Sequence, residues 1–301
     1  MSNKPEPLIS VVVPAYYSYT TIESSLEALM LQTYRSFEVI VVNSSPEEDT
    51  GRIVQEKFPD VKFVQSQERL LPHAARNAGV DVARGELLVF TDPDCIADPN
   101  WLEILAAAFN EGKETLVGAM GLAGDGWLEK GIHLCKFHWL LPGLKPAVKT
   151  CAPTANAAYS KDIWERIGPF SGEVFAGDGL LSHRASRVGH SPFFVPGAVV
   201  RHFHKESLGS LCKQRFSRGW EYAGVRIRLM EQANALTWLS LIFSWAALGL
   251  VLLRAGKNAT IAGWGRSFWF TLPVQAAGHF SWALGESFGA AGILSGSVHG
   301  S

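Results

Sequence analysis

Residues 9–14 read ISVVVP and residues 37–43 read FEVIVVN, and these two short apolar runs decide the fold class. Near-continuous runs of this kind are typical of strands that are buried on both faces of a parallel sheet. Between them, residues 20–23 (TTIE) have the pattern of a helix capping box, and apolar residues recur at helical spacing over 22–30. The first unit of the chain is therefore predicted to be strand, helix, strand.

The same alternation continues towards the middle of the chain. The further predicted elements are helices over 46–58 and 72–83, and strands over 61–64 and 86–91. Asp98-Pro99 predicts the start of another helix, with Asp98 as its cap and Pro99 at the first helical position. Alternating strands and helices with short connections predict an α/β fold, a doubly wound, mostly parallel sheet flanked by helices.

Ligands in such sheets bind beyond the carboxyl ends of the strands, which directs attention to the residues that follow each predicted strand. These are Pro14-Ala15-Tyr16, Asn43 and Asp92-Pro93-Asp94. Neither a GxGxxG fingerprint nor a phosphate-binding P-loop follows the first strand. If a nucleotide binds, another device must therefore neutralise its phosphates.

Asp92 and Asp94 are the strongest single indication of chemistry. Two carboxylates two residues apart at a strand end can hold a hard divalent cation and leave positions open for substrate oxygens. The alternative is a turn in which an aspartate caps the next helix. Because Asp98 is predicted to supply that cap, the metal interpretation is favoured.

The composition of the chain argues against nucleic-acid binding and indicates the compartment in which the protein lies. The 301 residues carry 27 Lys and Arg against 28 Asp and Glu, a net charge of −1, so electrostatic binding of nucleic acid is not expected. The four cysteines are far apart and form no CxxC pair, which favours reduced thiols in the cytosol. The N-terminus MSNKPEPLIS has no apolar core of a signal peptide. The first two hundred residues are therefore expected to face the cytoplasm.

Four segments together carry a family resemblance: ISVVVPAY, QTYRSFEVIVV, HAARNAGVDVARGELLVFTDPDC and TANAAYSKDIWERIGPF. They resemble, in order and over roughly residues 8–220, a family 2 glycosyltransferase of the GT-A fold. The resemblance implies a nucleotide-sugar donor, a divalent metal that is manganese or magnesium, and a single transfer of sugar with inversion at the anomeric carbon.

The resemblance also implies roles for residues near the donor. Pro14, Ala15 and Tyr16 match the loop that lies against the nucleoside. Asn43 stands where the family usually has an aspartate that binds the uracil or the ribose. A UDP-linked donor is expected from the resemblance, and because of this departure guanosine or thymidine stays open. Arg76 matches an arginine near the nucleotide and its pyrophosphate, the alternative being a surface charge on a helix.

For the metal, the resemblance implies Asp92, which faces the ribose or the metal, and Asp94 as a direct ligand. A histidine after a later strand would complete the ligand set, and His202 is favoured over His204. Imidazole is a competent third ligand beside two carboxylates. A solvated loop histidine is the alternative.

The expected catalytic base is Asp178. It matches the second acid of an acidic pair in the family, whereas Gly177 replaces the first acid. A carboxylate on the acceptor side would take the proton of the acceptor hydroxyl. The alternative for Asp178 is an N-cap of the following helix. The departures at Asn43 and Gly177 leave open a second hypothesis, a catalytically impaired sugar-nucleotide-binding or scaffold subunit.

The last part of the chain is almost uncharged. From residue 233 to residue 301 it contains four charged side chains and five of the ten tryptophans. Residues 235–253 and 267–285 contain no charge and are nearly as long as the ~20 residues that cross a bilayer. The sequence therefore predicts a glycosyltransferase domain over 1–232 and a membrane-anchoring helical hairpin over 233–301, the alternatives being a re-entrant hairpin or a buried helix pair.

The distribution of cations around this tail predicts its orientation. Six cations precede the first apolar segment and three lie in the connecting loop: Lys205, Lys213, Arg215, Arg218, Arg226 and Arg228 against Arg254, Lys257 and Arg266. The larger cluster is expected on the cytoplasmic side of the cell membrane, together with the enzyme domain. An acceptor that is lipid-linked or close to the membrane is the corresponding expectation, because tethering raises the local concentration of partners held in the same membrane.

Overall fold

A computed structural model describes residues 8–171, 176–230 and 234–295 of the chain. The predicted boundary at 232/233 and most of the N-terminal decapeptide lie outside these ranges. Within the described residues, nine strands form one sheet. The strands are β1 (Ile9–Ala15), β2 (Phe37–Asn43), β3 (Lys62–Gln65), β4 (Leu87–Thr91), β5 (Cys95–Ala97), β6 (Thr115–Leu122), β7 (Ala147–Val148), β8 (Asn156–Ser160) and β9 (Phe193–His202).

The described residues also form twelve α-helices. They are α1 (Ile22–Met30), α2 (Asp49–Lys57), α3 (Pro72–Val80), α4 (Trp101–Asn110), α5 (Trp127–Phe137), α6 (Lys161–Ile167), α7 (Gly177–Arg187), α8 (Leu208–Gly224), α9 (Ala235–Ile242), α10 (Leu248–Ile261), α11 (Gly265–Phe270) and α12 (Leu272–Leu294). A π-helical turn, Val225–Leu229, follows α8, and a 3₁₀ turn, Ser244–Ala247, separates α9 from α10. The predicted α/β class is confirmed.

The sheet is mixed rather than mostly parallel. Its order is β3-β2-β1-β4-β8-β6-β9-β5, and β7 pairs with β9. The pairs β2–β3, β1–β2 and β1–β4 are parallel, whereas β8 pairs antiparallel with β4 and β6, and β9 with β5 and β7. The prediction of a mostly parallel sheet therefore holds for the first half of the chain only. Each antiparallel pair involves at least one strand that follows residue 91, and the alternation of strands and helices does not by itself determine whether two strands pair parallel or antiparallel.

One predicted capping box and one predicted helix start are wrong. Helix α1 spans Ile22–Met30, as predicted, but the capping box at 20–23 does not form, since the N-cap Thr21 makes no side-chain cap hydrogen bond. Helix α4 begins at Trp101 with Asn100 as its N-cap, not at Asp98-Pro99. Asp98 instead accepts two hydrogen bonds from Arg201, at 2.9 and 3.1 Å, because the pairing of β5 with β9 brings the guanidinium beside it.

The chain divides into two compact units, residues 1–121 with 145–202, and residues 122–144 with 203–301. The first unit contains nearly all of the sheet. Asn156 is fully buried at its centre, donates to the carbonyls of Ala119 and Ala198 at 2.9 Å each, and accepts from Trp101 Nε1 at 2.9 Å. One amide thereby connects β8 to β6, β9 and α4. The second unit is helical and carries no part of this network.

Within the second unit, α8 and α12 make backbone-to-backbone contact. A Cβ atom added to Gly219 would collide with the carbonyl of Trp282, and one added to Gly285 would collide with the carbonyl of Phe216. Glycine at these places lets the two helices approach more closely than side chains would allow. Much of the predicted apolar tail is thus a packed helical unit.

The two predicted membrane segments are not continuous helices. The chain bends at Phe243 between α9 and α10. The second segment is interrupted at Thr271, after which Pro273 occupies the first turn of α12 and needs no backbone partner. Within the described residues no single helix has both the length and the hydropathy for a membrane span. Ala235–Ile242 and Ser244–Ile261 satisfy the test only together, with a bend of 75° between them.

Candidate active site

Four side chains meet beyond the carboxyl end of β4. Asp92, Asp94, Cys95 and His202 each offer one ligand atom, and these atoms all lie within 4.8 Å of one another. His202 Nε2 is 3.6 Å from an Asp94 carboxylate oxygen, and Cys95 Sγ is 3.9 Å from the other. The three predicted metal ligands are therefore brought together. The donor set of carboxylates, imidazole and thiol can bind a divalent transition metal.

Strand pairing explains how residues more than a hundred positions apart come to share this site. Asp92 and Asp94 follow β4 directly, and Cys95 begins β5. In the antiparallel pair β5–β9, Cys95 lies opposite His202. The register of two strands thus places the imidazole beside the carboxylates, which no local sequence pattern specifies.

Cys95 is the member of this group that sequence reasoning missed. Its side chain is buried, and burial, followed by the charges of Asp92 and Asp94, raises the pKa of the thiol well above its ordinary value. The absence of a CxxC pair hid it, since that pattern detects only sites whose cysteines are close in sequence. The available signal was its position immediately after the DPD motif.

Arg76 is buried and forms an ion pair with Asp92. The surface-charge alternative for this residue is therefore wrong. Helix α3 turns Arg76 towards β4 because Gly79, one turn later, lies so close to Val12 of β1 that a Cβ atom would collide with it. Asn77, on the same helix, binds the backbone of Phe170 in both directions, with Nδ2 donating at 2.9 Å and Oδ1 accepting at 3.0 Å. The segment RNAG thus packs α3 against β1, supplies the arginine of the ion pair and holds the backbone of Phe170.

Asn43 is fully buried at the end of β2, and its amide is engaged with protein groups. Its Oδ1 accepts from the backbone N–H and the hydroxyl of Ser45, at 3.3 and 2.9 Å, and its Nδ2 donates to Gln65 Oε1 at 2.9 Å. Ser45 in turn accepts from the backbone N–H of Tyr17 at 2.6 Å. In this structure Asn43 orders the loops around the predicted nucleoside position.

The loop after β1 exposes aromatic surface. Pro14 and Ala15 are buried within the strand, whereas the Tyr16 ring is partly exposed and carries the Arg69 guanidinium over its face, 4.8 Å from the ring centre. Tyr17 has a positive φ of 50°, uncommon for a residue with a side chain. The partly exposed Tyr16 ring can stack on a flat base.

Asp178 lies in the first turn of α7 and is not part of the four-residue group. Its Oδ1 accepts from the backbone N–H of Gly179 at 2.8 Å, and the N-cap of α7 is Ala176. The N-cap alternative is therefore wrong. Gly177 is buried against His73 of α3. His73 is the second residue of the site that sequence reasoning missed. Its position three residues before Arg76, on the same helix face, was the available signal.

Comparisons with known proteins agree with this architecture. A family model described as glycosyl transferase family 2 matches residues 10–168. The chain is similar to glycosyltransferase AglE of Haloferax volcanii, with 24% identity over 92% of this chain and 97% of that protein. It is also similar to glucosyl-dolichyl phosphate glucuronosyltransferase of the same organism, with 24% identity over 54% of this chain and 55% of the relative.

Among solved structures, the chain resembles the mannosyltransferase PcManGT from Pyrobaculum calidifontis, determined in complex with GDP-Man and Mn²⁺. The TM-score is 0.59 with 21% identity, covering 95% of this chain and 86% of that one. At this identity the likeness supports the GT-A fold and nothing finer. Because the family model covers more than half of the chain, from β1 through α6, this protein belongs to glycosyl transferase family 2 and is a glycosyltransferase.

Proposed function

We propose that this protein transfers a sugar from a nucleotide-sugar donor to a lipid-linked or membrane-proximal acceptor, with inversion and with the help of a divalent metal. The single observation that carries the proposal is the convergence of Asp92, Asp94 and His202 at the carboxyl edge of the sheet. Ligand sites of open α/β sheets lie at this edge.

The donor set fits a divalent cation that binds both oxygen and nitrogen. Asp92, Asp94 and His202 would hold it, and the bound cation would neutralise charge on the diphosphate leaving group. Manganese is proposed over magnesium, since an imidazole ligand is unusual for magnesium, whereas carboxylates and imidazole together suit a transition metal. The Mn²⁺ in the complex of the Pyrobaculum mannosyltransferase supports this choice.

The other residues of the site would hold the metal ligands in place and accept the proton of the acceptor. Arg76 holds Asp92 in place through its ion pair. The Asp178 carboxylate would accept the proton of the acceptor hydroxyl as the acceptor oxygen bonds to the anomeric carbon. Attack from the face opposite the nucleoside diphosphate breaks the bond to the leaving group, which departs with the electron pair, and this inverts the configuration.

The proposed donor is UDP-linked, and Tyr16 is the proposed platform for the base. The Asn43 amide is hydrogen-bonded to Ser45 and Gln65. The backbone and hydroxyl groups around the base would therefore mainly determine which base is bound. GDP-mannose is the second donor to test, since the Pyrobaculum enzyme binds it.

Membrane association on the cytoplasmic side is also proposed. The helices of the second unit expose many large apolar side chains, and the cations Arg254, Lys257 and Arg266 on α10 and α11 are exposed as well. The most exposed examples are Leu236, Leu253, Trp269 and Phe270. Apolar side chains flanked by cations match a bilayer with anionic headgroups. The dolichyl phosphate in the name of one Haloferax relative supports a lipid-linked acceptor.

Release of nucleoside diphosphate tests the activity. The full chain in detergent is given UDP-, GDP- and dTDP-sugars with Mn²⁺ and a polyprenyl phosphate, and NMR of the product reports the anomeric configuration. Asp178→Asn is expected to lower kcat by about 100-fold or more, the range of general-base catalysis. Asp162→Asn, an exposed acid on α6, is the matched control.

Retention of configuration would contradict the inverting mechanism. Donor binding without turnover, unchanged by Asp178→Asn, would favour the alternative of a sugar-nucleotide-binding or scaffold subunit. The departures at Asn43 and Gly177 are the observations behind that alternative.

A further inference from the structure

One face of helix α3 connects three parts of the candidate site. His73, Arg76 and Asn77 lie three and four residues apart and therefore on the same side of the helix. Arg76 holds Asp92, and Asn77 holds the backbone of Phe170. His73 stacks on the Phe170 ring, with the ring centres 4.7 Å apart. Only 5% of His73 is exposed, so its position is fixed by contacts on several sides.

The contact between His73 and Gly177 leaves no room for a side chain at 177. A Cβ atom on Gly177 would lie 2.7 Å from Cδ2 and 3.1 Å from Nε2 of His73. Real Cβ atoms do not approach another heavy atom to 2.7 Å, so the imidazole fills the volume into which any other residue would project. Gly177 immediately precedes Asp178 in the first turn of α7. The imidazole is therefore a spacer against the turn that carries the proposed base.

The second ring nitrogen of His73 connects this turn to Arg76. His73 Nδ1 is 3.5 Å from Arg76 Nη1. A guanidinium has no acceptor, so Nδ1 must accept and the ring proton must lie on Nε2. The side of the ring that carries the proton then faces the start of α7. Through Arg76, the same ring also supports the ion pair with Asp92.

We infer that His73 is a positioning residue that sets the distance between the Asp178 turn and the Arg76–Asp92 ion pair. The inference rests on the proposed function, because it assigns His73 a role in aligning the base with the metal-binding carboxylates. No contact of His73 with substrate is required.

A double-mutant cycle of His73→Ala and Gly177→Ala tests the inference, with Gly224→Ala as a control at a glycine that has open space around it. Two readouts are taken: kcat with the best donor, and Mn²⁺ affinity by electron paramagnetic resonance, which needs no turnover. In the wild-type background, Gly177→Ala is expected to lower kcat about 10-fold, because its methyl group displaces the imidazole. In the His73→Ala background the same change is expected to cost less than about twofold, as coupled neighbours show.

His73→Phe separates positioning from bulk packing. The phenyl ring keeps the stack on Phe170 but loses the acceptor for Arg76, so the melting temperature should be retained while kcat falls about 10-fold and KM for the donor changes less than about threefold. Additive effects in the cycle, or a fully active His73→Phe variant, would overturn the inference while the proposed function stands. A wild-type protein that neither turns over any donor nor binds Mn²⁺ would overturn both.

Discussion

At the scale of single residues, the central feature is a buried guanidinium that serves two partners. Arg76 pairs with Asp92 and approaches His73, and its Nε is buried with no hydrogen-bond partner. A planar fork can reach two partners at fixed angles, whereas the lysine ammonium is a single point charge. The identity of this residue therefore matters beyond its charge.

Arg76→Lys is expected to lower kcat/KM by about 10-fold or more, because the ammonium cannot hold both partners in the buried site. Steady-state kinetics with a saturating metal concentration measure the effect. Arg84→Lys is the matched control, since Arg84 is 74% exposed and its ion pair with Glu38 is worth little. Equal effects of the two substitutions would show that the fork geometry of Arg76 is unimportant.

At the scale of secondary-structure elements, one buried and one partly buried polar side chain connect separate parts of the chain. One is Asn156, which connects β8 to β6, β9 and α4. The other is the carboxylate of Glu206 in the second unit, which lies 2.5 Å from Lys136 Nζ and 3.4 Å from His204 Nδ1. His133 of α5 extends this group through a contact of 3.2 Å with His204 Nε2.

Asn156→Ala is expected to lower the free energy of unfolding of the first unit by about 3 kcal/mol, since it leaves two buried carbonyls and one indole N–H unpaired. Chemical denaturation followed by tryptophan fluorescence measures the change. Asn110→Ala, at the exposed end of α4, should stay within about 0.5 kcal/mol of the wild type. A similarly small change in the free energy of unfolding for Asn156→Ala would mean that this amide does not stabilise the sheet.

The ionised Glu206 carboxylate is expected to make the stability of the fold sensitive to acid. Burial alone would raise the pKa of Glu206, but the hydrogen bond from His204 and the charge of Lys136 outweigh it and lower the pKa to about 2. Because the folded pKa is below the ordinary value of 4.5, the ionised carboxylate stabilises the fold above about pH 4.5, and this contribution is lost as the pH falls towards 2. Its size is about 2 kcal/mol once solvent screening is allowed for.

Glu206→Gln should therefore destabilise the protein at pH 7 and make its melting temperature less dependent on pH between 4.5 and 2 than that of the wild type. Thermal unfolding in detergent across this range measures both effects. The double variant Lys136→Met/Glu206→Leu is expected to be less destabilised than Glu206→Gln, since it leaves no unpaired buried charge. A wild type and a Glu206→Gln variant with parallel pH profiles would refute the assignment.

At the scale of the whole molecule, the sequence predicted what local patterns encode. Strands β1, β2 and β4 are buried runs with turn residues at their ends, and all three were found within one or two residues of their structural bounds. The antiparallel strands β6 and β8 and the three-residue β5 were not predicted, because their stability comes from pairing with distant strands. Asp98 failed as a cap because a distant arginine competes for its carboxylate.

The same distinction applies to the candidate site. Asp92, Asp94 and Arg76 lie in one local segment and could be assigned from it. The resemblance also pointed to His202, but its distance from Asp94 depends on the register of β5 with β9. The contact of His73 with Gly177 depends on how α3 and α7 pack, which periodicity does not encode. In the tail, hydropathy indicated apolar helices but neither the bend at Phe243 nor the helix break at Thr271.

Membrane association is a prediction about the whole chain. The protein should float with vesicles that contain about 30% anionic lipid and should bind neutral vesicles more weakly, because exposed cations accompany the apolar side chains. Trp269→Ser/Phe270→Ser should weaken flotation, since these side chains are 70% and 75% exposed. Leu31→Ser, at a 71% exposed position of the first unit, is the matched control. Flotation that is insensitive to the α11 substitutions, or a soluble dimer without vesicle binding, would refute this surface.

The Mn²⁺ dependence of turnover, compared between the wild type and Asp94→Ala, tests the proposed metal-assisted sugar transfer most directly. Chelation should abolish nucleoside diphosphate release by the wild type, and added Mn²⁺ should restore it. Asp94→Ala should bind Mn²⁺ at least about 10-fold more weakly and lose nearly all turnover, since the substitution removes a proposed direct ligand. An Asp94→Ala variant with wild-type turnover, or a wild type equally active in chelator, would contradict the proposed metal-assisted transfer.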